Sequence, residues 1–186
     1  MSVFKLKNTK MKPSVELRHL LSGAKPEDEV EGAGIILFNV YCQENATQVL
    51  LNCREVLSIV LQQYENSWPS ETEWHRLLPT WFTEKCASEQ TFEEVENDLA
   101  RWQKLSREEQ RREEEEEAWS VMDWIRWFES TENPFEQRSW FWWDGFVKDP
   151  NLLLVAVEVV DVPFPWGALN WLLRASGALK VEESNL

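Results

Sequence analysis

The side chains best suited to chemistry lie in the last third of the chain, in and around one apolar segment. Glu158 lies inside the apolar run 152–160, with Asp144 at a predicted turn before this run and Asp161 at its end. Neighbouring carboxylates can act as general acid and general base, and small-molecule pockets usually combine aromatic walls with a few polar groups. Such walls would come from nearby tryptophans, namely Trp140, Trp142 and Trp143.

Glu158 is the carboxylate whose surroundings matter most. A carboxylate among apolar neighbours on a strand must be paired, reach solvent at the strand end, or hold a proton through a raised pKa. The pairing interpretation has three candidate cations, Arg126, Arg138 and Arg174. Because buried acids are more often paired than catalytic, we assign no catalytic residue from the sequence.

The aromatic run 140–143 alternates along the same predicted hairpin. Successive strand residues face opposite sides of a sheet, so these rings cannot all point one way. Rings on one face would fill the core, and uncovered rings on the other face would form an exposed patch of the kind that binds partners. The alternative is that most of them are core residues. The candidate patch comprises Trp140, Trp142, Trp143, Glu158, Asp144 and Asp161.

Other classes of site find little support in the sequence. His19 and His75 are the only histidines, and zinc-type spacing is absent. Carboxylate-only Mg²⁺ or Ca²⁺ sites need no histidine and stay open as an alternative, but no calcium-loop pattern is present, so we expect no metal and no cofactor. A nucleophilic pair of Cys86 and His75 would need two residues 11 positions apart in a kinked helix to meet, which is not expected. The 6 glycines form no phosphate-binding loop. The sequence therefore leans away from an enzyme.

Charge divides the chain into a basic start and an acidic body. Within residues 1–25, six basic side chains stand against Glu16 alone, so this segment is positive by five charges. The net charge of -14 then leaves the remainder negative by nineteen. An acidic body repels nucleic acid and anionic membranes and attracts basic proteins. With no apolar run of about 20 residues and no signal-peptide pattern, the expected location is the cytoplasm.

Several helices are indicated by caps and by apolar periodicity. The segment 45–64 carries one continuous apolar stripe after Asn45, and Ser70 and Thr91 each begin a capping box. Pro79 predicts a kink or two short helices. The charged segment 106–117 fits a solvated helix better than a linker.

The segment 26–42 carries two conflicting patterns. Val30, Leu37 and Tyr41 recur at helical spacing, whereas the run 35–41 also fits a buried strand. The helix is favoured slightly.

The segment 152–160 is predicted to be a strand covered on both faces, and its expected partner is 139–143. The two strands would be joined either by a tight turn at Asp144-Gly145 or by a loop over 144–151.

Together these patterns predict an α+β protein, mainly helical, with a small antiparallel β-sheet formed chiefly by the C-terminal third. Residues 1–13 would be a basic arm, and 14–186 a single globular domain of ordinary size. The favoured function is a non-enzymatic interaction module that binds a basic protein through its acidic surface and aromatic patch. The alternative is a small-molecule-binding or hydrolytic domain with a Trp-lined pocket and carboxylate groups.

Overall fold

The computed structural model describes residues 11–129 and 138–184, apart from the side chains of 114–116. This part of the chain is α+β, as the sequence predicts. In chain order its elements are α1 (Pro13–Ser22), β1 (Gly34–Tyr41), α2 (Ala46–Gln62), a 3-10 turn (Gln63–Glu65), α3 (Glu71–Leu77), α4 (Thr80–Thr83), α5 (Phe92–Trp102), α6 (Arg107–Glu116), α7 (Val121–Arg126), β2 (Trp140–Asp149), β3 (Leu152–Val159), α8 (Gly167–Ala175) and β4 (Lys180–Glu183).

The four strands form one antiparallel sheet in the order β2-β3-β1-β4. β3 therefore has hydrogen-bonded neighbours on both sides, which confirms its predicted central position. Its residues Leu153, Val155 and Val157 are fully buried, and Leu152 and Leu154 on the other face are half-buried. An interior strand that contributes to the core and is partly shielded on its second face explains the nearly continuous apolar run.

β1 corrects the helical interpretation of 26–42. Residues Gly34–Tyr41 are a strand between β3 and β4, and no helix forms at 26–33. The helical spacing of this segment was accidental, because Phe38 and Val40, two positions apart, are the pair that is buried. A period of two on one buried face is the strand pattern, and pairing with two distant segments decides the outcome.

The turn of the C-terminal hairpin also differs from both predictions. β2 runs on through Asp144 and Gly145 to Asp149, and the turn lies at Pro150 and Asn151. A β-bulge shifts the register between Trp142 and Asp144. A Cβ on Gly145 would lie 2.7 Å from the Leu50 Cδ1 atom of α2, so this glycine permits close packing of a helix and does not form a turn.

The core lies between one face of the sheet and the helices α2 and α8. As predicted, α2 contributes a continuous buried stripe of Ala46, Val49, Leu50, Cys53, Val56, Leu57, Val60 and Leu61. A chain of ring contacts continues the core, with centroids 4.9 Å apart for Phe82 and Trp124 and 4.6 Å apart for Trp124 and Phe128. Such large aromatic side chains supply much of the buried apolar area.

The middle of the chain consists of short capped helices. The predicted capping boxes at Ser70 and Thr91 are both present, and Pro79 separates α3 from α4. Ser106 and Glu109 form a third capping box, which begins the charged helix α6. None of the helices described in the structure has the length and apolar character needed to cross a lipid bilayer.

Candidate functional site

The predicted aromatic patch divides between the core and the surface. Trp140 and Trp142 are completely buried, and Trp143 is half-buried. The fully buried rings lie two positions apart on β2, as alternation requires, and face the core. Trp140 and Trp142 therefore present no surface to a partner, and Trp143 alone of the three remains accessible.

The two predicted aspartates lie in different surroundings. Asp161 is exposed, and its Oδ1 atom accepts a hydrogen bond from the Val162 amide in the turn after β3. Asp144 is half-buried beside the end of α1, where a Cβ on Gly23 would lie 3.1 Å from its Oδ1 atom. Asp161 is hydrogen-bonded within its own turn, whereas Asp144 and Trp143 both border α1.

Glu158 is buried, with only 2% of its surface exposed, and it has no arginine partner among the described residues. Its Oε1 atom accepts hydrogen bonds from the backbone amides of Glu31 at 3.0 Å and Gly32 at 2.6 Å. A Cβ on Gly32 would lie 2.2 Å from the Val159 carbonyl oxygen, so glycine is required for this approach. The Oε2 atom meets no hydrogen-bond donor in the described part of the chain. Burial raises the pKa of Glu158 above its usual value.

A second buried carboxylate, Glu16 on α1, shows the opposite arrangement. Arg138 donates to both of its oxygens, with Nη1 2.7 Å from Oε2, and the Trp142 amide donates to Oε1 at 2.7 Å. The Arg138 guanidinium also lies over three aromatic rings, those of Phe128, Trp140 and Phe141. Sequence reasoning missed this pair. One signal was available, because Glu16 lies one helical turn before Leu20 on the buried face of α1.

His19 and Asp28 form a polar cluster beside Trp143, which sequence reasoning also missed. The buried His19 ring places Nε2 2.9 Å from Asp28 Oδ2, and Arg18 makes a two-pronged contact with the same carboxylate. These donors and the Lys25 amide hold the pKa of Asp28 well below its usual range, the Arg18 hydrogen bond contributing most. The His19 ring meets Trp143 edge to face, with centroids 4.6 Å apart.

His19, Asp28, Trp143 and Glu158 border one cavity of about 250 Å³, which we call the Glu158 cavity. It lies between α1, the segment 24–33 and the sheet. Two of its lining residues, Glu158 and His19, carry buried atoms without hydrogen-bond partners among the described residues, namely Glu158 Oε2 and His19 Nδ1. The complete lining is Met11, Lys12, Val15, Arg18, His19, Glu27, Asp28, Glu29, Glu31, Trp143 and Glu158.

The remaining nucleophile and metal candidates do not come together. The Cys86 thiol donates to the Phe82 carbonyl oxygen, and burial raises its pKa to about 11, so it is protonated at neutral pH. His75 lies 3.9 Å from a Glu89 carboxylate oxygen. Within 11–129 and 138–184, no group of three or more His, Cys, Asp and Glu side chains has the geometry to hold a metal ion.

A different surface carries exposed apolar side chains. On α5, Phe92, Val95 and Leu99 are 79%, 47% and 52% exposed, and no residue of this 11-residue helix is buried. We call these three side chains the α5 apolar face. The helix is tied to α6 by polar contacts, in which Arg101 Nη1 lies 2.8 Å from Glu113 Oε1 and Gln110 donates to the Trp102 carbonyl oxygen. The sequence predicts the apolar stripe of α5, but it does not show that these side chains remain exposed in the fold.

Similarity to known proteins gives no further guide to these two regions. The sequence matches no protein-family model, and no curated protein or solved structure is significantly similar to it. Function must therefore be argued from the geometry of the chain itself.

Proposed function

We propose that this protein is a non-enzymatic interaction module that binds a basic protein partner, and that the α5 apolar face is the centre of the contact. The observation that carries the proposal is that an amphipathic, capped helix has no buried residue and leaves Phe92, Val95 and Leu99 79%, 47% and 52% exposed. The described residues therefore leave about half or more of each of these three side chains open to solvent. Exposed apolar stripes bordered by polar residues commonly mark sites of protein association.

The energetics of α5 support a docking role. A helix of 11 residues is marginal in water on its own, and most helices in proteins gain their stability by burying an apolar face. α5 has no buried residue, and its ends depend on a capping box and on contacts with α6. Burial of Phe92, Val95 and Leu99 against a partner would supply the stabilisation that the chain itself does not.

The charge around the stripe selects the class of partner. Residues 92–102 contain four acidic side chains and one basic side chain, and the whole chain carries a net charge of -14. A partner with an apolar groove bordered by lysine and arginine would match both features. Complementary charge would raise the association rate and exclude acidic competitors.

The test is capture of the partner from the protein's native cells at low and at high salt, with wild-type bait and two variants. Leu99→Ser removes part of the α5 apolar face. Leu51→Ser is the matched control, because Leu51 lies on α2 with 50% of its surface exposed, close to the 52% of Leu99. Binding of one basic protein in stoichiometric amount, weakened by salt and by Leu99→Ser but not by Leu51→Ser, is the expected result.

Two results would contradict the proposal. One is that no protein is captured in stoichiometric amount at either salt concentration. The other is that Leu99→Ser and Leu51→Ser capture the same protein equally well, because the contact would then lie elsewhere on the surface.

A further inference from the structure

We propose that the Glu158 cavity is a binding site for an alkylammonium group, either the side chain of a lysine or a free primary amine. The site uses elements other than α5, so the inference goes beyond the proposed function and does not depend on it. Three features support it: an unsatisfied buried carboxylate oxygen, an aromatic wall with a second acceptor, and an excess of acidic side chains.

The first feature is the half-satisfied carboxylate of Glu158. Glu158 lines the cavity, and its Oε1 atom already accepts hydrogen bonds from two backbone amides, whereas its buried Oε2 atom has no donor among the described residues. A buried acceptor without a partner is costly, and a ligand that donates a hydrogen bond to it removes that cost. A cationic donor would also compensate the carboxylate charge.

The second feature is the wall formed by His19 and Trp143. His19 Nε2 lies 2.9 Å from Asp28 Oδ2, which can only accept, and 3.1 Å from Arg18 Nη2, which can only donate, so its role depends on the tautomer. In the neutral tautomer that donates from Nε2 to Asp28, the buried Nδ1 atom is an acceptor, and it too lacks a partner in the described part of the chain. The ring of Trp143 borders the same cavity, and indole is the aromatic group that attracts cations best.

The third feature is the charge of the lining, which contains five carboxylates and two basic side chains, Lys12 and Arg18. Arg18 is already engaged with Asp28 in a two-pronged ion pair. The lining is therefore negative overall, and a cavity lined by one sign of charge concentrates ligands of the opposite sign.

The geometry favours ammonium over other cations. A guanidinium group pairs best with both oxygens of a carboxylate, but Oε1 of Glu158 is occupied by the amides of Glu31 and Gly32. Ammonium is a compact donor of three hydrogen bonds, which suits separate single acceptors such as Glu158 Oε2 and His19 Nδ1. A volume of about 250 Å³ accommodates a short alkyl chain with its head group.

The test is a titration of the full-length protein, labelled with ¹³C at glutamate carboxyl carbons and with ¹⁵N at histidine ring nitrogens, with n-butylammonium chloride at constant ionic strength. Sodium chloride and sodium butyrate serve as controls for salt and for the alkyl chain. The expected result is a saturable shift of the Glu158 carboxyl and His19 ring signals with the amine alone. Glu158→Gln, which keeps the size and the Oε1 acceptor, should weaken binding at least tenfold.

Two further variants keep the test decisive. Trp143→Leu should weaken binding about threefold or more through loss of the aromatic wall, and the exposed acid variant Asp161→Asn should leave it unchanged. The proposal is overturned if the shifts do not saturate, if sodium chloride reproduces them, or if Glu158→Gln binds the amine as well as wild type does.

The same experiment distinguishes the two sources of the ammonium group, a lysine side chain and a free primary amine. Binding of both n-butylammonium and the peptide acetyl-Ala-Lys-Ala-amide assigns the site to lysine side chains, and binding of the amine alone assigns it to small amines. Because Lys5, Lys7 and Lys10 precede the cavity residue Lys12 in sequence, the titration is repeated with these three replaced by glutamine. Tighter binding to that variant shows competition by a lysine of the chain itself and also supports the proposal.

Discussion

Glu16 and Glu158 are both buried carboxylates, but only Glu16 has a cation beside it in the described part of the chain. Glu16 accepts from Arg138 through both oxygens and from the Trp142 amide, so its charge and its lone pairs are compensated. Glu158 has two backbone donors on one oxygen and none on the other. The contacts of Glu16 fix α1 against β2, whereas the Oε2 atom of Glu158 can still accept a hydrogen bond from a ligand.

The helices α2 and α5 show the same contrast in apolar chemistry. Both carry apolar residues at helical spacing, yet eight residues of α2 are buried and none of α5 is. The stripe of α2 meets the sheet and α8, and that of α5 meets solvent. In both comparisons, a group that has its partner within the chain is structural, and a group of the same type without one is a candidate site for another molecule.

The largest effect should come from breaking the compensated carboxylate. We expect Glu16→Gln to lower the free energy of unfolding by about 3–5 kcal/mol, because it leaves the Arg138 charge buried without a partner. Urea denaturation followed by tryptophan fluorescence measures the change. The double variant Glu16→Met with Arg138→Met should recover most of the loss, since paired replacement of a buried ion pair by apolar side chains is often neutral. A double variant as unstable as the single one contradicts the charge argument.

A nearly equal effect is expected from the buried stripe of α2. Leu57 is fully buried, so Leu57→Ala should lower the free energy of unfolding by about 2–5 kcal/mol through lost burial and the cavity left behind. The same denaturation experiment measures it. A loss below about 1 kcal/mol would mean that α2 does not carry the core contacts described here.

Glu158 should respond to pH in the opposite sense to a paired carboxylate. Its pKa in the folded chain is raised above 4.5, so the folded state keeps this proton at pH values where the unfolded chain has lost it. The resulting stabilisation is complete below pH 4.5 and is lost as the pH rises through the raised pKa. We therefore expect Glu158→Gln to gain stability relative to wild type as the pH rises from 4 to 8, measured by denaturation at each pH. A difference that stays constant with pH would contradict the burial effect.

The smallest effect on stability is expected at the exposed stripe. Leu99→Ala should change the free energy of unfolding by less than about 0.5 kcal/mol, because Leu99 is half exposed on a helix with no buried residue. Comparison with Leu57→Ala in the same assay measures the contrast between α5 and α2. A loss near 2 kcal/mol at Leu99 would show that the α5 apolar face is covered within the protein.

Features that depend on local sequence could be predicted. The apolar stripe of α2, the capping boxes at Ser70 and Thr91, the break at Pro79 and the interior strand β3 all follow from short patterns. Caps and periodicity act over one or two helical turns, so the sequence alone determines them.

Features that depend on distant partners could not be predicted. β1 is a strand because β3 and β4 pair with it, and the Asp144-Gly145 turn signal was overridden by packing of Leu50 against β2. The apolar run around Glu158 drew attention to this residue, but its partners are backbone amides 127 and 126 residues away. No local pattern encodes such contacts, and the same holds for which aromatic face of β2 the helices cover.

Hydrogen exchange resolved along the whole chain tests the central claim most directly, namely that α5 lacks an internal partner and gains one on binding. In the free protein, we expect the amides of α2 to exchange at the rate of global unfolding and those of α5 to exchange far faster, because α5 buries no residue. In the captured complex, protection should appear at 92–102. Strong protection of α5 in the free protein, or none in the complex, would contradict the account.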